Sequence, residues 1–241
     1  MDSDAILIVA SRRGGVDSCQ QVIHSGKINA QMNNTHPISV RPLLLGAALV
    51  LVALAVSFIN PHDRLTWLME VMPVLIALPL LACTYQRFPL TPLLYFLIFL
   101  HALILIVGGT YTYAHVPVGF WVQDLLGLAR NPYDKLGHLW QGLVPALVAK
   151  EIFVRRHFVT GRKMVAFLSI CVAMAISAWY ELIEWWAAVI MGQGADEFLG
   201  TQGDQWDTQS DMCMAFIGAM IAVILLAKWH DRQITRIGSN R

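Results

Sequence analysis

Along most of this chain apolar residues do not alternate with polar ones; they run together. Four runs are long and nearly unbroken: 42 to 60 (PLLLGAALVLVALAVSFIN), about 67 to 83, about 92 to 109 and about 212 to 229. A helix that crosses a bilayer needs roughly 20 mostly apolar residues, and these runs meet or approach that length. A fifth, about 164 to 190, is longer and ends in the polar-studded WYELIEWWAAVIM. A sixth, about 135 to 154 (KLGHLWQGLVPALVAKEIFV), carries charge at both ends and His138 and Gln141 inside. Alone, such a helix would insert badly, so it is expected to be shielded by the others. The pattern predicts an all-α, polytopic membrane protein with six transmembrane helices.

Charge sets the orientation. Lys and Arg concentrate on the cytoplasmic side of membrane proteins. With six spans, one side receives Arg12, Arg13, Lys27, Arg41, Arg87, Arg155, Arg156, Arg162, Lys163, Lys228, Arg232, Arg236 and Arg241. The other receives only Arg64 and Arg130, and the segment 192 to 210 has neither Lys nor Arg. Without the sixth helix, the RRHFVTGRK cluster and the basic C-terminal tail would fall on opposite sides. Both termini are therefore expected in the cytoplasm. Residues 1–41 read as a disordered cytoplasmic tail, 42–230 as the six-helix domain and 231–241 as a basic cytoplasmic tail. The opening MDSDAILIVASRRGG is no signal peptide, because its apolar stretch is short and its arginines follow it. Met32 is an alternative start.

Composition agrees with a membrane as solvent: 56% of residues are hydrophobic and 14% charged, against about a quarter charged in soluble domains. A net charge of +1 gives no case for nucleic acid, and membrane lipids are the expected partners. Cys19, Cys83, Cys171 and Cys213 are far apart, with no zinc-like spacing.

The stretch QGDQWDTQSDM, residues 202 to 212, carries three aspartates and no Lys or Arg beside an apolar run. In the expected topology it meets two other polar groups at one depth. Asp134, His138 and Gln141 are spaced i, i+4, i+7, one face of a helix. Glu181 and Glu184 are spaced i, i+3, and Asp204, Asp207 and Asp211 are spaced i, i+3, i+7. Glu70 could join them. Ionisable residues at membrane depth face the interior and mark functional sites, and clustered carboxylates need protons or a cation. Oxygen donors suit one Mg²⁺, Mn²⁺ or Ca²⁺, and the histidine also admits Zn²⁺. The expected ligands are His138, Glu181, Glu184, Asp207 and Asp211. Glu181, Glu184 and His138 are the candidates for acid–base work, and Asp134, Lys135, Gln141 and Asp204 would orient groups or bind substrate.

Structural roles compete at several positions. Asp134 suits a helix N-cap after Asn131-Pro132. Lys135 could pair with a carboxylate and weaken the case for a metal, while Asp204 and Asp207 could be merely solvated. His101 reads as a satisfied buried histidine, and Lys150 and Glu151 as snorkelling to the interface. Trp67, Trp121, Trp140, Trp179, Trp185, Trp186 and Trp206 fit an aromatic belt. The glycine-rich GQGADEFLGTQGDQ suits either a cap over the site or an exposed loop. No GxSxG, HExxH, Walker A or GxGxxG motif is present. Three classes stay open: a cation-binding protein that acts on or recognises a lipid-linked or envelope molecule, a small proton-coupled transporter, and a non-catalytic membrane scaffold.

The blocks YDKLGHLWQGLVPAL (133 to 147), ELIEWWAA (181 to 188) and FLGTQGDQWDTQSDMCMAFIGA (198 to 219) resemble the signatures of the YjdF-like bacterial inner-membrane proteins. The resemblance covers nearly all of residues 38 to 232. It implies a polytopic inner-membrane protein and implies no reaction, ligand or cofactor. A fainter similarity is to VanZ-like membrane proteins, whose DKxxH, ExxQ and DxxD pattern is echoed by Asp134, Lys135, His138, Glu181, Glu184, Asp207 and Asp211. This chain departs from that pattern with Glu184 in place of Gln and Ala215 in place of Asn.

Overall fold

Backbone in lipid must satisfy its own hydrogen bonds, and the unbroken apolar runs resolve into helices. The computed structural model describes residues 40–191 and 202–238. Among the described residues there are eight helices and no strand: α1 Val40–Ile59, α2 Arg64–Thr84, α3 Pro92–Tyr111, α4 Pro117–Leu126, α5 Tyr133–Arg155, α6 Arg162–Met191, α7 Asp207–Ile224 and α8 Ala227–Gly238. Local chemistry sets their starts. Asp63 accepts the Thr66 N–H at 2.7 Å and caps α2, and Pro92 and Pro117 occupy the first positions of α3 and α4.

Helices α1, α2, α3, α6 and α7 are long and apolar enough to cross a membrane. The polar sixth run, α5, is long enough at 23 residues but is not among them. Large apolar side chains face outward on the five, for example Leu44, Leu49 and Val56 on α1, as a protein with lipid for solvent requires. The N-terminal tail before residue 40, with Cys19 and Met32, and the glycine-rich loop through residue 201 lie outside the described residues. Residues 227–238, read as the end of a span and a tail, form the separate helix α8.

The polar helix is central. α5 packs on α3, α6 and most extensively α7. Where α5 crosses α7, a Cβ at Gly142 would run into the Ala215 carbonyl, and one at Gly218 into the Leu139 carbonyl. Such small-residue contacts let helices approach closely in lipid. Leu143, Val144, Ala146, Leu147, Ala219 and Ala222 extend the crossing into a buried apolar layer with Leu94 and Leu97 of α3.

Beyond that layer, the far end of α5 holds a buried polar knot. Glu151 is fully buried and accepts the Thr91 N–H at 3.0 Å, the Thr91 hydroxyl at 2.8 Å and Arg155 Nη1 at 2.5 Å. His230 Nε2 lies 2.9 Å from it. Lys150 reaches Asp231 at 2.5 Å, and the Leu93 N–H donates to Gln233 at 2.9 Å. Glu151 therefore pairs inside the protein instead of snorkelling, because α8 and the start of α3 supply partners, while Lys150 reaches the exposed Asp231. Trp67 also departs from the belt: it is buried and donates to Ser57 Oγ at 2.9 Å.

Candidate functional site

The start of α5 is fixed by Asn131. Its Oδ1 accepts the Tyr133 N–H at 3.0 Å and its Nδ2 donates to the Val116 carbonyl at 3.0 Å. Pro132 is the N-cap residue and makes no side-chain cap bond, and Asp134, expected as the cap, falls in the first turn of the helix. One turn later on the same face sits His138, buried. Its Nε2 lies 3.4 Å from Asp134 Oδ1 and 3.9 Å from Asp211 Oδ1. Its Nδ1 lies 3.1 Å from Gln141 Oε1 and 3.8 Å from Glu181 Oε1. The groups from α5, α6 and α7 therefore converge on one imidazole.

The three aspartates are neutralised from far upstream. Arg130 reaches Asp204 at 2.8 Å and Asp207 at 2.6 Å. Lys135 reaches Asp207 at 2.8 Å and Asp211 at 2.6 Å. Gln202 and Asn131 add a reciprocal pair, with the Asn131 N–H donating to Gln202 Oε1 and Gln202 Nε2 to the Asn131 carbonyl, each at 3.1 Å. Residues 202–207 are in this way strapped across the start of α5. Asp204 is spent on Arg130 and on the Trp206 N–H at 2.9 Å. The structural reading of Lys135 holds in part, since Asp207 has two cations and Asp211 only one.

Asp134, Asp211 and His138 each offer a ligand atom within 4.8 Å of the others. Glu181 is buried, and its Oε1 facing the ring has no hydrogen-bond partner. Glu184 is half-buried one turn further along α6, and its charge also acts on His138. Glu70 of α2 is buried, and the Tyr113 side chain acts on its carboxyl. Tyr113 arrives there because Thr112 and Tyr113 both take left-handed backbone, φ 54° and 47°. Two such residues in succession are unusual for side chains of this size, and they fold the Tyr113 ring against Tyr133, 5.8 Å between centroids. Mid-span, His101 is not the satisfied histidine expected: its Nε2 is buried without a partner, with the Trp140 ring 6.4 Å away.

The geometry constrains the proton on His138. With a proton on Nδ1 donating to the Gln141 carbonyl oxygen, the Nε2 lone pair would face the Asp134 and Asp211 carboxylates; with a proton on Nε2, the ring donates toward them instead. A lone pair aimed at two anions is stable only with positive charge between them. A proton on Nε2 or a metal ion meets that need, and a ligating histidine commonly donates its other N–H to a neighbouring oxygen.

Sequence reasoning passed over Arg130, Asn131, Gln202, Tyr113 and Tyr180, whose hydroxyl points at the Met69 carbonyl at 3.4 Å. One signal was available. An acidic stretch with no cation of its own must borrow one, and the loops on that side hold only Arg64 and Arg130.

Comparison with known proteins agrees with the fold. The family described as Predicted membrane protein (DUF2238) matches residues 42–232. The chain is 66% identical over 202 residues to "Inner membrane protein YjdF" of Escherichia coli (strain K12), covering 83% of this chain and 97% of that protein. No solved structure matches.

Proposed function

The chain belongs to this family of membrane proteins, and from that premise we propose a six-span inner-membrane protein whose acidic pocket, opening to the periplasm, binds one divalent cation. The pocket then acts on, or recognises, a lipid-linked or envelope molecule. The carrying observation is the convergence of His138 Nε2, Asp134 and Asp211, whose ligand atoms lie within 4.8 Å of one another, with the unpartnered Glu181 Oε1 at the back of the ring. Asp134, His138 and Asp211 are the ligands this geometry favours, with Glu181 as a fourth or as the acid–base group. Asp207 leaves the ligand set expected from spacing, because Arg130 and Lys135 already hold it. Glu184 and Glu70 line the pocket, and Gln141 orients the imidazole. As the sixth span, α5 keeps RRHFVTGRK and the basic α8 on one side of the membrane, with both termini cytoplasmic.

A proton-coupled transporter needs polar groups in continuous contact across the bilayer. The buried layer of Leu143, Val144, Ala146 and Leu147 separates the pocket from the Glu151 knot along α5, which favours a one-sided site. The test is elemental analysis of the detergent-purified protein beside its Asp134→Asn/Asp211→Asn variant. The proposal expects near one equivalent of a divalent metal in the parent and its loss in the variant. A folded parent without metal overturns it and leaves a proton on Nε2 as the neutralising charge.

A further inference from the structure

Helix α4 is built inside out. It has 10 residues, about 15 Å at 1.5 Å each, half of what a bilayer core requires. Its inward side is small and polar. A Cβ at Gly119 would run into Asn131 Oδ1, and the Gln123 Oε1 is buried. Its outward side is apolar: Val118, Trp121, Val122, Leu125 and Leu126 form one face of the helix, with Trp121 73% and Leu125 83% exposed. Asp124 is the only charged residue from 116 to 129. In water, a helix buries its apolar stripe and shows its polar one, and a contiguous patch of this kind marks an interaction surface.

The occupant is fixed by position. Five residues separate α4 from α3, a helix long and apolar enough to cross a membrane, and the left-handed pair Thr112–Tyr113 turns the chain between them. Helix α4 therefore begins at the membrane boundary, next to lipid that already covers α3. Asn131 ties it to the mouth of the acidic pocket, holding Val116 on one side and Tyr133 and Gln202 on the other. We propose that α4 lies in the plane of the membrane with its outward face sunk among phospholipid chains, so that the pocket mouth sits at headgroup level and receives its substrate from the bilayer. The route of entry rests on the pocket reading above; the placement of α4 does not.

The test uses the full chain with its four cysteines replaced by serine, reconstituted in phospholipid vesicles. A nitroxide is attached at Leu125→Cys and, as a water-facing reference, at Gln205→Cys. The proposal expects the label at 125 to meet dissolved oxygen several-fold more often than a water-soluble nickel chelate, with the order reversed at 205. Equal nickel access at both positions would place α4 in water and overturn it. Shielding from both reagents, with broadening between labels on two copies, would show a protein interface and also overturn it. Metal content measured on the same preparation separates the two readings. A lipid-exposed label without bound metal sustains α4's placement and removes only the cation.

Discussion

His230 Nε2 lies 2.9 Å from Glu151 Oε2, and neither residue has any exposed surface. The pair joins α8 to α5 across 79 residues of chain. Thr91 and Arg155 complete the shell around the same carboxylate. A charge this deep is tolerable because four donors converge on it.

Removing that carboxylate should be costly. Glu151→Ala strands Arg155 and His230, and breaking a buried pair from one side costs about 3–5 kcal/mol. His230→Leu removes a single donor and should cost about 1–3 kcal/mol. Unfolding in mixed micelles would rank the two, and equal effects would contradict the arrangement.

The α5–α7 crossing should resist any added side chain. Gly218→Val must push the Leu139 backbone away, and overpacking of this kind costs about 1–3 kcal/mol or more. Gly46→Ala would meet only the Phe99 ring at an ordinary 3.7 Å, with an effect within about 0.5 kcal/mol. Thermal stability in detergent distinguishes them.

Lys135 pairs with Asp211 at 2.6 Å, so at the proposed site it would compete with the cation for that carboxylate. Its replacement by Met should therefore tighten metal binding about tenfold, or about 1.4 kcal/mol, while lowering stability. Competition against a chromogenic chelator measures the change. Weaker binding would show that the ammonium organises the ligands instead of opposing them.

Arg130 fastens residues 204–207 across the start of α5. Arg130→Ala should speed amide exchange at residues 203–208 with little change in α3. The partly exposed ion pair with Asp204 contributes under about 1 kcal/mol, and the pair with the buried Asp207, which keeps Lys135, about 1.5–3 kcal/mol, so a moderate loss of global stability should accompany the faster exchange. Unchanged exchange would mean that the Gln202–Asn131 pair suffices.

Asp63 offers a pH test at the start of α2. The Thr66 backbone N–H holds its carboxyl below the usual carboxylate range. Because the folded value is depressed, the cap is fully present above the unfolded value, about 3.9, and is lost as pH falls through the lower, folded one. Asp63→Ala should cost about 1 kcal/mol at neutral pH and progressively less in acid.

Much of this was legible in the sequence. The i, i+4, i+7 set of Asp134, His138 and Gln141 named a helix face correctly, because periodicity is a local property. Asp211 and Glu181 were placed near that face by counting spans. Pairings between distant positions have no period, so Arg130 on Asp207 and His230 on Glu151 left no trace in the pattern. Helices α4 and α8 were missed for a related reason. One is too short to register as a span, and the other alternates polar and apolar residues where only long apolar runs were sought.

The two polar ends of α5 also bear on how the protein is made. As the sixth span of the proposed bundle, α5 leaves the ribosome before any of its main ionic partners. Asp207 follows Lys135 by 72 residues, which at about 5–20 residues per second amounts to roughly 4–14 seconds of synthesis. Until α7 emerges, α5 is too polar for the lipid that its neighbours have already entered. The insertion machinery must shelter it for that interval, so topology becomes final only when the last span arrives. Truncation before Asp207 would then leave α5 out of the membrane and hand a nascent chain to proteolysis.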